Sequence, residues 1–261
     1  ENSWAVTHFH GYNNLRRDYF EECEKWHRPF AIRGIPCDTI SQDDDFSDYD
    51  LVIAPFLYML GDGTAEKIEK YIEDGGSFVA TYLFGVADRN DMAFYGGLPA
   101  GNLRKAFGIW AEESSGIPEG KEGTAEFCGK AYKTQHVLDV IHSEGAEVLG
   151  KYTSDFFSGE PAVTKNTYGK GTAYYTAFRN DEDFTDDFCS ELVKSLDIKP
   201  DTEIKASGDV LIRKRGDYIF VFNFTEEEQS VCLDKAYTDV LNETELSGEI
   251  TIPVCGYLVL K

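Results

Sequence analysis

The stretch SFVATYLFG, residues 77–85, is an apolar strand that runs straight into a turn. In many α/β enzymes such a turn is a sharp elbow that exposes a Ser or Cys nucleophile beside free backbone N–H groups, which stabilise an oxyanion. Here the turn reads Tyr82-Leu83-Phe84-Gly85, and none of the first three side chains suits acyl transfer. No G-x-S-x-G occurs in the chain, so no catalytic residue is expected at the elbow.

The other candidates for chemistry each have a structural reading that fits better. YGKGT, residues 168–172, contains a G-K-G-T but lacks the earlier glycine of a phosphate loop and lies between two extended runs, which predicts a hairpin turn. No G-x-G-x-x-G opens a helix, so no dinucleotide or other cofactor is expected. His8-x-His10 would place two imidazoles on one side of a strand, but no third and fourth ligand follow at metal spacing, and no metal site is expected. The acidic run SQDDDFSDYD, residues 41–50, lacks the glycine and terminal glutamate of a calcium loop and reads as a solvated connection. A retaining glycosidase needs two carboxyl groups about 5–5.5 Å apart. DRNDMAF and RNDEDF offer carboxylates, each within a polar loop. RGD at 215–217 sits between VLIRK and YIFVF, where a hairpin turn is expected.

Charge narrows the partners. The 261 residues carry 47 acidic and 25 basic side chains, a formal net charge of −22, which repels phosphate backbones and anionic lipid surfaces, so neither nucleic acid nor membrane is expected as a partner. No run of eighteen apolar residues predicts a membrane span, and ENSWAVTHFHGYNN lacks the regions of a signal peptide. Cys23, Cys37, Cys128, Cys189, Cys232 and Cys255 lie far apart, without a C-x-x-C pair, and read as thiols in a reducing, cytoplasmic compartment. Asn223-Phe-Thr225 and Asn242-Glu-Thr244 match the glycosylation triplet, a pattern frequent by chance.

The elements that must position these residues follow from periodicity. Leu15, Tyr19, Cys23 and Trp26 recur at helical spacing, with Pro29 expected to end or kink the helix. GIPCDTI and DLVIAPFLYML read as buried strands. Between the latter and SFVAT, Ala65, Ile68 and Ile72 mark a helix, with Thr64 placed as N-cap and Gly75-Gly76 as C-cap. This strand, helix, strand order predicts an open α/β sheet over residues 35–82. AEVLGKY, PAVTKNTY and TAYYTAF read as extended, the last two as a hairpin, and FCSELVKSLDI as a helix. After the linker KPDTEIKASGD, the pattern is all strand. Two domains are expected, 1–200 and 201–261, the second a small antiparallel β domain.

DYDLVIAPFLYML, the block IEKYIEDGGSFVATYLFGVADRNDMAFYGGLPAGNLRKAFGI, AEVLGKY, GEPAVTKNTYGKGTAYYTAF, VLIRKRGDYIFVFNFTEEEQSVCL and GYLVL together resemble the C-terminal half of bacterial β-galactosidases of glycoside hydrolase family 42. The resemblance implies a flavodoxin-like, class I glutamine amidotransferase-like α/β domain that mediates trimerisation, followed by the small β domain. It also implies an N-terminal (β/α)₈ barrel that bears both catalytic glutamates and the β-galactoside site, so no catalytic residue is expected within this chain. A short apolar strand precedes the segment that ENSWA resembles, so the sheet is expected to lack one strand. The chain is then a non-catalytic assembly and accessory portion of a homo-oligomer, expected as a trimer. Leu83, Phe84, Met92, Phe94 and Tyr95 are the expected interface residues, because interface cores favour aromatic residues and Met. A stand-alone carbohydrate-binding or scaffold protein of the same architecture is the alternative.

Overall fold

The computed structural model describes residues 18–118, 120–208 and 210–261. His8, His10, Leu15 and the absence of a strand over residues 1–10 lie outside them. Two compact units divide the chain. One runs to Trp26 and from Ile40 to Thr185, the other takes His27–Thr39 and Asp186–Lys261.

Among the described residues, the first unit is built on a nine-stranded mixed sheet. Its strands are β1 (Leu51–Ala54), β2 (Ser77–Thr81), β3 (Ile109–Gly116), β4 (Gly123–Phe127), β5 (Lys130–Ser143), β6 (Glu147–Tyr152), β7 (Pro161–Tyr168), β8 (Gly171–Thr176) and β9 (Phe178–Asn180). They lie in the order β1-β2-β8-β7-β6-β4-β5-β3, with β9 beside β5. The pairs β1–β2 and β2–β8 are parallel, and every other pair is antiparallel. All five residues of β2 are buried, as a central strand covered on both faces must be.

Helix α2 (Thr64–Asp74) makes the β1-to-β2 crossover and buries Ile68 and Ile72. Its N-cap is Gly63, one residue earlier than expected, and Thr64 is buried inside the first turn. The β7–β8 hairpin lies on the C-terminal end of α2. A side chain at Gly171 would collide with the carbonyl oxygens of Ile72 and Gly76, so only glycine allows this approach.

Two expectations differ. Helix α1 (Asp18–Ile32) continues through Pro29. The Pro29 carbonyl accepts a 2.7 Å hydrogen bond from Arg33 Nη1, which steadies the turn that the proline weakens. GIPCDTI forms no strand: the Ile35 N–H is taken by the Phe30 carbonyl at the end of α1, and Pro36 has no N–H to offer a ladder. Strand β1 is accordingly an edge of the sheet among the described residues.

The second unit carries the end of α4 (Glu182–Ser195) and a six-stranded sheet of β10 (Lys205–Ala206), β11 (Val210–Arg215), β12 (Tyr218–Asn223), β13 (Gln229–Asp239), β14 (Thr244–Ile252) and β15 (Tyr257–Leu260), all antiparallel. Arg215-Gly216-Asp217-Tyr218 is the β11–β12 turn, with Gly216 at φ 59°, so RGD serves as a hairpin here. Alternate residues Ile212, Ile219, Val221, Val231, Leu233, Ile252 and Leu260 fill the core.

Asn223 closes that core. It is 1% exposed, and its amide donates to the carbonyls of Glu227, Ile252 and Pro253 while its oxygen accepts from Thr225 N–H and Oγ1–H. Its amide is therefore closed to a glycan. Asn223→Ala is expected to destabilise the chain by about 2–3 kcal/mol, because carbonyls and the half-buried Thr225 hydroxyl lose partners. Asn242→Ala, at an exposed position, removes one 2.6 Å donor from the buried Asp239 carboxylate and should cost less, about 1–2 kcal/mol, in the same urea titrations.

Candidate functional site

The parallel strands β1 and β2 end side by side, and each hands over to a residue with left-handed backbone: Phe56 at φ 49° and Leu83 at φ 56°. For residues other than glycine this conformation costs roughly 1–2 kcal/mol. Both turns are held by a side-chain acceptor. The Phe56 N–H donates to Thr81 Oγ1 at 2.7 Å, and the Leu83 N–H donates to Asp139 Oδ2 at 2.8 Å.

Leu83 thus shares with a nucleophile elbow a left-handed residue after a strand, but no helix follows it directly and its side chain carries no nucleophile. Its side chain, 5% exposed, packs with Phe56, Tyr58, Met59, Tyr82, Ala87 and Val137, and the Phe56 and Tyr82 rings stack at 5.1 Å. The crevice at the carboxyl ends of the strands, where open α/β sheets bind ligands, is filled by this cluster.

Asp139, in the middle of β5, is 1% exposed. Besides the Leu83 N–H, its carboxylate accepts from Tyr175 Oη at 2.7 Å and Ser114 Oγ at 2.6 Å. Its backbone is held too: the N–H donates to the Ala177 carbonyl, and Tyr152 Oη donates to the Asp139 and Ala177 carbonyls at 3.0 and 2.8 Å. Burial pushes the Asp139 carboxyl above its ordinary range and outweighs these three hydrogen bonds, which favour the anion. Burial likewise drives the Tyr152 and Tyr175 hydroxyls well above theirs, so both remain neutral donors. Asp139 escaped the sequence reading. Its signal is a single acid within VLDVI, where the strand period points a charge at the core.

The other sequence candidates are turn-makers. Asp88 accepts the N–H groups of Asn90 and Met92, which hold its carboxyl below the usual range, and Asp181 accepts the Phe184 N–H at the start of α4. G-K-G-T meets the carbonyl end of α2, where the Lys170 N–H donates to the Glu73 carbonyl, the reverse of a phosphate cradle. In the acidic run, the Lys67 ammonium donates to the Gln42 and Asp44 carbonyls at 2.8 and 2.9 Å and lies 5.3 Å from the centre of the Phe46 ring. This loop holds a lysine.

Of the expected interface residues, Leu83 and Phe84 lie inside. Phe84 is 1% exposed and packs against Phe78 and Phe107 at 6.0 and 5.4 Å. Phe94 is half-buried, whereas Met92 and Tyr95 are 61% and 97% exposed on the loop between β2 and α3 (Leu103–Phe107).

Residues 1–199 match the family model described as the β-galactosidase trimerisation domain, and residues 209–261 match the β-galactosidase C-terminal domain. The chain belongs to glycoside hydrolase family 42. It is 38% identical along its whole length to the β-galactosidase Pbg of Clostridium perfringens and 35% identical to BgaA of a Planococcus strain. The chain spans about 40% of the length of these curated relatives. Among solved structures, the family 42 β-galactosidase Gan42B of G. stearothermophilus superposes with a TM-score of 0.93 at 34% identity, over 99% of this chain and 38% of that one. These 261 residues therefore comprise the trimerisation and C-terminal domains of a family 42 protein, without its catalytic domain. Among the described residues, no helix is long and apolar enough to cross a membrane.

The node at Asp139 yields a test. Asp139→Ala strips the Leu83 N–H and two hydroxyls of their acceptor and is expected to cost about 3 kcal/mol or more. Asp139→Asn keeps one acceptor oxygen and should cost less. The folded-state pKa of Asp139 is raised. Its stability contribution is therefore complete below the unfolded-state value, about 3.9, and is lost as pH rises through the folded-state value. Urea midpoints from about pH 4 to about pH 8 should show Asp139→Asn gaining on wild type as pH rises.

Proposed function

We propose that this chain is the assembly and accessory part of a bacterial, cytoplasmic β-galactosidase, in which a catalytic barrel outside these 261 residues hydrolyses terminal β-D-galactosides. The observation that carries the reading is the occupied elbow. A leucine stands at the nucleophile position, and the N–H that an oxyanion would need is committed to a buried aspartate. The three parallel strands and the elbow after β2 support a flavodoxin-like, amidotransferase-like origin for the first domain, residues 1 to about 200, now used for packing. Six cysteines present as free thiols fit a reducing compartment.

The assembly is a homotrimer, as the description of the matching domain suggests. Met92 and Tyr95 supply its exposed apolar contact, with Phe94 half-buried behind them and Leu83 and Phe84 supporting the loop from within. The expected outcome in sedimentation equilibrium is concentration-dependent association of the purified chain, with a trimer favoured. A strict monomer at high concentration would remove autonomous assembly from the reading.

The same preparation is expected to leave a chromogenic β-galactoside intact from about pH 4 to about pH 9, because the acid and nucleophile such cleavage needs are assigned to the barrel outside these residues. Turnover that copurifies with the chain and vanishes in Asp88→Asn or Asp91→Asn would overturn the assignment.

A further inference from the structure

The outward face of the β11–β12–β15 sheet is aromatic and basic. Register places Leu211, Phe222 and Tyr257 in one row across it, Arg213, Phe220 and Val259 in the next, and Arg215 beside Tyr218 in the third. The Phe220, Phe222 and Phe224 rings follow one another at 6.3 and 5.6 Å, within 8° and 14° of parallel. Phe224 is 70% exposed and Tyr257 59%. Lys261 caps the third row, its ammonium 5.2 Å from the centre of the Tyr218 ring. No carboxylate stands in these rows, in a chain of net charge −22. Arg213 is engaged by the carbonyls of Ala31 and Ile212, whereas Arg215 and Lys261 have no ion-pair partner among the described residues. The face thus offers aromatic surface and two cations outside any ion pair among the described residues.

Complementary chemistry stands on the loop between β2 and α3, which carries the most exposed aromatic ring among the described residues, Tyr95. There Asp88 and Asp91 flank a tip whose Met92 and Tyr95 side chains stand in solvent. The loop's one cation, Arg89, is paired with Asp43 at 2.5 Å, so its acids remain unmatched. Asp88 is kept ionised by the two N–H groups it accepts.

We infer that the aromatic, cationic face of the second unit receives the acidic, apolar-tipped loop 86–96 of a second copy of this chain. This rests on the assembly reading and names its two contacting surfaces. Two different patches of one chain make a head-to-tail contact, the kind that closes into a ring of odd number. Apolar contact at the centre and opposite charge at the rim divide binding from orientation in the usual way.

Charge reversal tests it in the full chain. Arg215→Glu with Lys261→Glu, and separately Asp88→Lys with Asp91→Lys, are each expected to weaken self-association at least about tenfold, since like charges then face each other. An equimolar mixture of the two variants should regain association, as each then meets an opposite charge, and even-numbered species should replace trimers. Circular dichroism and thermal melts check that both variants fold, and Phe224→Ser serves as a second variant that leaves charge unchanged and is expected to weaken association. A wild-type chain that stays monomeric overturns the assembly reading and this contact with it. A wild type that associates while both charge variants and Phe224→Ser associate equally well overturns the contact alone. Loss in the variants without rescue in the mixture also overturns the pairing.

Discussion

The hydrogen bond from the Leu83 N–H to Asp139 is the contact on which the α/β unit turns. A carboxylate buried to 1% exposure is costly unless its lone pairs are filled, and here the donors come from three separate elements: the turn after β2, Ser114 on β3 and Tyr175 on β8. Tyr152, on β6, then fastens the backbone on either side through the Asp139 and Ala177 carbonyls. Strands far apart in sequence and in sheet order are thereby tied to one side chain. The left-handed Leu83 persists because its N–H has this fixed partner and its side chain a closed apolar setting.

The same contact decides what the unit cannot do. An acyl-transfer elbow works because its N–H groups are unspent and point at a cavity where charge develops. At Leu83 the N–H is spent on a charge the protein already owns, and the space beyond is occupied by Phe56, Tyr58 and Tyr82. A left-handed residue follows the strand here as in a catalytic turn, but its N–H and the space beside it serve packing.

What the sequence revealed follows the same physics. The parallel β1–β2 pair, the 169–170 turn, the RGD turn and the alternating β domain were legible because each is local: a period of two, a glycine at a turn, a helix of one apolar face. Residues 109–143 gave no such signal, since β3 and β5 are bulged near Glu112 and between Thr134 and Leu138, and a bulge shifts the alternation by one. GIPCDTI misled for the opposite reason. Its apolar residues predict burial correctly at Ile35, but a strand needs a neighbour, and that requirement is not written in the segment. Met92 and Phe84 are eight residues apart and chemically alike, yet one is exposed and the other buried, a difference set by the turn at Leu83.

The acidity of the chain gains a structural meaning once it is set against individual strands. A uniform charge of −22 would keep copies apart. Strand β12 escapes this by alternation: its inward residues Ile219 and Val221 build the core, and its outward residues Tyr218, Phe220 and Phe222 are aromatic, beside cations on β11 and after β15. The strand therefore needs no surface charge of its own. Repulsion over most of the molecule, relieved at one face, does more than an evenly neutral surface could. It disfavours every encounter that does not present acid to that face, so selectivity comes from the background as much as from the contact.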